Sequence, residues 1–305
     1  MPSTGTEAQI FRPVKRADSA HLMRQKSKVQ LGSLPPYLTD AISCEAKCFA
    51  VPLILDGQFI GTGTLIEFLG CKGILTAAHV VRNKFWTIDC SATSKQQLNT
   101  AVSDWAQNLA IPARYLSITQ TNDASRTYGP DLAFIQIPAG PFLSTIAATK
   151  SFLNICREPK KRLARALDHA GCVVFTGFPE VSSRRMMSVG NFDPVQALYG
   201  YAFLSGQERY ERRGRYDYLK IGVSYSTADP PITFKGVSGG GVWTVHLFAD
   251  ELSSMKLSFQ MYFAGVIFYE TRLSKGFRRL RAHGPRSLYK IFFPRIIKRF
   301  ATGQF

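Results

Sequence analysis

Acyl transfer by a side-chain hydroxyl needs four things: a nucleophile, a base within hydrogen-bond reach, an acceptor that fixes the base's tautomer, and donors for the developing oxyanion. The chain has candidates for each. Ser238 stands between glycines in GVSGGGVW, residues 236–243. As a turn, the stretch makes Ser238 a filler between strands. As chemistry, its glycines keep side chains clear of a nucleophile. Gly236 permits backbone angles that turn its N–H toward a substrate carbonyl, and the N–H of Ser238 is the second candidate donor. The base must come from His21, His79, His169, His246 or His283. His79, in ILTAAHVV, ends an apolar strand among small residues. It reads either as a satisfied core histidine or as a base with room beside it for a substrate. His169 lies in a polar basic segment, His246 on a strand after the serine, and His21 in the polar N-terminal stretch. The acceptor candidate is Asp131 in GPDLAFIQIP, just ahead of an apolar strand, where an ordinary turn aspartate also fits.

Short strands must hold these residues. CFAVPLIL, QFIGTGTLIEFL and ILTAAHVV, with turn signals at Asp56-Gly57 and Lys72-Gly73, predict an antiparallel meander. Further strands are expected at 132–138, from 172, and at 196–204, 216–226, 241–248 and 257–269. KKRLARALDHAG predicts a helix ended by Gly171, and Pro294 and Gly303 bracket a C-terminal one. Residues 1–40 read as a flexible extension. The rest divides into a first strand-rich lobe at about 45–140, a bridge at 141–170, a second lobe at 171–293 and a helix at 294–303. Two lobes of short antiparallel strands suit small barrels.

Composition bounds the function. Hydrophobic residues make up 45% of the 305, enough for a sizeable core. No apolar run approaches the roughly 18 residues that span a bilayer, and the first 30 residues contain no secretory core segment, so a cytoplasmic location is expected. The six cysteines form no C-x-x-C pair and are expected as free thiols, with no metal and no cofactor. Net charge is +17, and residues 272–305 hold ten Lys or Arg and no Asp or Glu. REPKKRLAR (157–165) and RYERRGR (209–215) add to this. Such a field attracts a polyanion, nucleic acid or an acidic protein, unless it is only a solvated face.

ILTAAHVV, GPDLAFI and GVSGGGVW occur in the order His, Asp, Ser, separated by 52 and 107 residues. Together they resemble the chymotrypsin-fold (trypsin-like) serine proteases, of an intracellular, bacterial type. GTGTLIEF resembles the strand before the family's histidine hairpin. AGVIFY resembles the strand that carries the substrate backbone, and GPRSLYKI with its following helix resembles the closing strand and terminal helix. The resemblance covers about residues 45–303. It implies an all-β fold of two six-stranded antiparallel barrels with a C-terminal helix, and peptide hydrolysis through an acyl-enzyme. It also implies roles: His79 as base and then acid, Asp131 orienting it, Ser238 attacking, and Gly236 with Ser238 forming the oxyanion hole. Ile232 and Thr233 would line the specificity pocket with Glu270 at its rim, and Phe268 and Tyr269 would lie along the substrate.

Three departures matter. Val237 replaces the aspartate that zymogen-type members bury against a new N-terminus, which removes that route of activation. Gly61 and Val80 stand where the cysteines flanking the histidine usually do. Phe268 replaces a serine that commonly supports the triad aspartate, leaving the support of Asp131 open. The competing readings are a non-peptide ester hydrolase, and a protease-like fold, catalytically silent or regulated by a polyanion, that binds nucleic acid through its basic C-terminal surface.

Overall fold

The computed structural model describes residues 34–55, 58–85, 97–101, 108–112, 117–120, 130–168, 172–180, 184–185, 196–197, 201–205, 207–224, 233–249, 257–271 and 277–303. The architecture is mostly β, with two antiparallel sheets and a C-terminal helix.

The first sheet contains β1 (Ala50–Leu55), β2 (Gln58–Phe68), β3 (Cys71–Thr76), β4 (Gln97–Ala101), β5 (Asn108–Pro112), β6 (Ser117–Gln120) and β7 (Ala133–Gln136) in the order β5-β4-β1-β2-β3-β7-β6. β8 (Leu153–Asn154) adds an eighth strand, parallel to β2. The second sheet contains seven: β9 (Cys172–Gly177), β12 (Tyr201–Ser205), β13 (Gln207–Arg213), β14 (Tyr216–Ser224), β15 (Gly241–Ala249), β16 (Leu257–Glu270) and β17 (Phe277–His283), in the order β12-β9-β15-β16-β17-β14-β13. β10 (Arg184–Arg185) and β11 (Gln196–Ala197) pair separately. Among the described residues no pairing joins the two ends of either sheet, so barrel closure is not seen, and the counts of eight and seven differ from the expected six and six.

Local sequence explains the elements. All six residues of AVPLIL in β1 and of CVVFTG in β9 are buried, so neither strand alternates apolar and polar positions as a half-exposed strand would. The turn between β2 and β3 lies at Leu69-Gly70, with positive φ at both residues, while Lys72 and Gly73 are already inside β3, which corrects the expected turn. Asp56-Gly57 lies outside the described residues.

The extension expected over residues 1–40 is corrected at its end. Helix α1 runs from Pro36 to Cys48, with Pro at its first position, where a missing N–H costs nothing. Leu38, Ile42 and Ala46, spaced by four, form its buried stripe. SLYKIF, expected as the closing strand, is instead a π-helical segment, Ser287–Phe292, that runs into helix α5, Phe293–Ala301. The strand closest to the chain end is β17, hidden from pattern reading by its arginines. Along the chain, α2 (Ala78–Phe85) follows β3, α3 (Pro141–Thr149) follows β7, and α4 (Pro159–Ala166) stands between β8 and β9. Gly171, expected to end α4, lies outside the described residues.

One core cluster joins the two sheets. It draws Leu38, Ile42 and Ala46 from α1, Phe68 and Phe134 from the first sheet, Val174, Trp243 and Phe263 from the second, and Leu288, Phe292, Phe293 and Ile296 from the C-terminal segment. Tyr218 and Phe268 of the second sheet also enter the core of the first.

Candidate active site

His79 and Asp131 meet because β3 and β7 are neighbours. Thr76, the last residue of β3, pairs with Ala133, the first of β7. The chain therefore places His79 three residues beyond that pair and Asp131 two residues before it. His79 is not at a strand end, as expected, but in the first turn of α2. Ala77 and Ala78 are fully buried there, so their small side chains let the turn sink into the sheet edge while His79 faces outward.

The contact is double. His79 Nδ1 lies 2.5 Å from Asp131 Oδ2, and the backbone N–H of His79 donates to Asp131 Oδ1 at 2.8 Å. The imidazole is 47% exposed and the carboxylate 18%, so the ring reaches solvent while its partner is mostly covered. Burial pushes the Asp131 carboxyl upward. The hydrogen bonds and charge of His79, with a smaller pull from His283, outweigh this and hold it below the ordinary carboxylate range.

Ser238 lies in a turn fixed from three sides. Thr62 of β2 donates its N–H to Ser238 O at 2.9 Å and its Oγ1 to Gly236 O at 2.8 Å. From β16, Ile267 O accepts from Gly239 N at 2.7 Å and Ile267 N donates to Gly240 O at 2.9 Å. Val237 is fully buried in the core of the second sheet, so an apolar plug anchors the turn. Gly236 and Gly239 have φ of 95° and 93°, a region that glycine enters freely. A methyl group on Gly239 would lie 1.9 Å from Thr62 O, so space as well as conformation demands glycine. Among the described residues, the N–H groups of Gly236 and Ser238 have no acceptor. The Ser238 turn and the His79 helix flank one point of β2: a methyl group on Gly61 would lie 3.0 Å from the side chain of Val80 and 3.1 Å from Ser238 O. The Ser238 hydroxyl itself makes no hydrogen bond to His79. In ligand-free sites such bonds are often long and tighten with substrate.

The expected pocket residues fare differently. Ile232 lies outside the described residues. Thr233 Oγ1 donates to Glu270 Oε2 at 3.1 Å, and Phe234 N donates to Glu270 Oε1 at 3.0 Å. The Glu270 carboxylate thus ties the end of β16 to the segment that leads into the Ser238 turn. Tyr269 is 39% exposed beneath the Arg281 guanidinium, which stands 5.5 Å from the ring centre. Phe268 is an unpaired bulge residue between Ile267, opposite Ala282, and Tyr269, opposite Arg281. The bulge turns its ring inward onto His283, 4.4 Å between centres and 27° between planes.

His283 was missed by sequence reasoning. It is fully buried, and its Nε2 accepts the backbone N–H of Asp131 at 3.0 Å. Burial pushes its pKa down to about 4, against an upward pull from Asp131. Of the other histidines, His246 is occupied structurally, its Nε2 donating to Arg165 O at the end of α4. His21 and His169 lie outside the described residues. Cys44, Cys48, Cys71, Cys156 and Cys172 are free thiols, and Cys90 lies outside the described residues. Among the described residues no group of three or more His, Cys, Asp or Glu is placed to hold a metal ion, and no helix is long and apolar enough to cross a membrane.

No family model matches the chain. No curated protein matches it either. Among solved structures, the chain is similar to one from work on the coupled folding and binding of the intrinsically disordered VPg protein of Sesbania mosaic virus. The identity is 10%, the match covers 80% of this chain and 89% of that one, and the TM-score is 0.42. A likeness of that degree carries no argument, and the architecture rests on the strand pairing.

Proposed function

We propose that the chain is a serine endopeptidase of chymotrypsin-like architecture, with two barrel-like lobes, that hydrolyses peptide bonds through an acyl-enzyme. The observation that carries this reading is the double hydrogen bond between His79 and Asp131. A turn aspartate has no need of both the ring and the backbone of one half-exposed histidine.

In this mechanism Asp131 holds the proton of His79 on Nδ1, leaving Nε2 free as base. Nε2 takes the Ser238 proton as Oγ attacks the scissile carbonyl carbon, and the carbonyl π electrons move onto oxygen. The N–H groups of Gly236 and Ser238 stabilise that oxyanion. As the tetrahedral intermediate collapses, the C–N bond breaks and His79 gives its proton to the departing amine. Water then repeats the sequence on the acyl-enzyme, releasing the acid and restoring Ser238. Both Glu270 oxygens already accept hydrogen bonds, which favours a small or apolar side chain beside the scissile bond over a basic one.

A second reading, binding of a polyanion, draws on the cationic row Arg209–Lys220–Arg281, opposed in register across β13, β14 and β17. It is compatible with the first as a regulatory surface.

The test is labelling by a fluorophosphonate probe. The wild type is expected to take label, and Ser238→Ala and His79→Ala to take none. Labelling that survives Ser238→Ala would place the reactive hydroxyl elsewhere. A wild type that stays unlabelled, with and without added polyanion, would sink the catalytic reading.

A further inference from the structure

We infer that His283 is a positioning residue for the His79–Asp131 pair, acting as a neutral imidazole that accepts the Asp131 backbone N–H. The inference rests on the catalytic reading of that pair and supplies the support that Phe268, in place of the usual serine, leaves missing.

The geometry assigns the protonation state. Because Nε2 accepts from Asp131 N at 3.0 Å, it carries no proton, and the single proton of the neutral ring sits on Nδ1. That Nδ1 is buried without a partner among the described residues. A donor left unmet in the core is a cost that leucine or phenylalanine would avoid. The side chain is therefore poorly explained as filler and well explained by what its other nitrogen does. Protonation of Nε2 would put two donors face to face and release the Asp131 backbone. The depressed pKa keeps that state away from neutral pH.

The surroundings hold the ring in this role. Phe268 stacks on it from β16, and Tyr218 of β14 lies 5.4 Å away between ring centres. Among the described residues, the titratable and charged groups around it are few. Asp131 faces it from the segment before β7, with His79 beyond. Tyr218 faces it from β14, where the neighbouring Asp217 carboxylate is turned to Arg286 N and Ser287. Arg281, two residues earlier on β17, lies over Tyr269. Phe268 brings no charge. The ring thus fixes the backbone of Asp131 while His79 fixes its carboxylate, and together the two set the direction in which the carboxylate points.

Two variants of the full chain separate positioning from packing. His283→Leu fills the space and removes the acceptor, whereas His283→Gln keeps a side-chain carbonyl that can accept. Fluorophosphonate labelling rates would be followed across pH, with thermal unfolding as the control for folding. His283→Leu is expected to fold, to label about tenfold or more slowly at neutral pH, and to shift the acid limb of its profile, because a small misplacement of a catalytic group costs this much or more. His283→Gln is expected to recover most of the rate. Should His283→Leu not fold, His283→Met takes its place. Equal rates and profiles in the wild type and the acceptor-less variant would overturn the inference. So would loss of rate in both variants in proportion to lost stability.

A readout independent of turnover separates this from failure of the catalytic reading: the downfield proton NMR resonance of the His79–Asp131 hydrogen bond. If the wild type takes no label, that resonance still decides. A shift in His283→Leu that His283→Gln reverses supports positioning, and an unmoved resonance overturns it.

Discussion

At the scale of single residues, the site depends on which nitrogen holds which proton. Asp131→Asn keeps the shape but offers an amide where Nδ1–H needs an acceptor, so the wrong tautomer of His79 is favoured. Labelling at Ser238 is expected to slow about ten-thousand-fold with little change in Tm. Acid sensitivity follows from His283. In the folded protein its imidazole stays neutral down to about pH 4, while in the unfolded chain it takes a proton near 6.5. The unfolded state therefore binds more protons between these values, and stability falls as pH drops through this window, by on the order of 3 kcal/mol. The carboxylate of Asp131 acts lower. Its pKa is depressed by folding, so its contribution is present above the unfolded carboxylate range and is lost only as pH falls through the folded value. Thermal unfolding between pH 7 and 4 should show the first loss in the wild type and a shallower one in His283→Leu. An identical slope in both would contradict the assignment of the neutral ring.

At the scale of elements, the site is a product of pairing. Strand register brings His79 to Asp131, and β2 and β16 clamp the Ser238 turn. Gly239→Ala is expected to cost about 3 kcal/mol and to abolish labelling, since it adds both backbone strain and overlap with Thr62 O. Gly214→Ala meets nothing within 4 Å and bears only the strain of φ 58°, so it should cost about 1 kcal/mol and leave labelling intact. Denaturant unfolding of the two variants checks the contrast.

Much of this was legible in the chain. The small and apolar neighbours of His79, Asp131 and Ser238 marked these residues as candidates, and the contact of His79 with Asp131 is what the structure adds. β1, β9, β15 and β16 follow from apolar runs. His283 did not show, for a physical reason. In FRRLRAH it alternates with Leu280 and Ala282, so pattern alone puts it on the polar face with Arg279 and Arg281. Only the arrival of Asp131, Phe268 and Tyr218 from distant parts of the chain buries it. Helix α1 was obscured by its two prolines, which mark the start of a helix as readily as a linker.

At the scale of the molecule, the basic C-terminal region is structural as well as cationic. Asp217, fully buried, accepts from Arg286 N at 2.9 Å and from Ser287 Oγ at 2.7 Å, and so pins the start of the final segment. Asp217→Ala leaves those donors unmet and is expected to cost about 3 kcal/mol, measurable by denaturant unfolding. Deleting residues 272–305 cannot isolate the charge, because it also removes β17 and the aromatic residues that close the core. Charge reversal at exposed Arg279 and Lys290 is the cleaner probe. If nucleic acid binds this face, affinity should fall and the salt dependence should flatten by roughly one unit for each phosphate no longer neutralised.

The core shared by α1 and α5 also sets an order of events during synthesis. A chain made from its amino end has α1, His79 and Asp131 to hand long before residues 283–301 exist. Until they emerge, Leu38, Ile42 and Ala46 lack the far side of their cluster, and Asp131 lacks the ring that steadies it. A nascent chain would thus carry the groups of the proposed centre before the packing that holds them is complete. On the proposed reading, Ser238 of a chain stalled short of residue 283 should take no fluorophosphonate label.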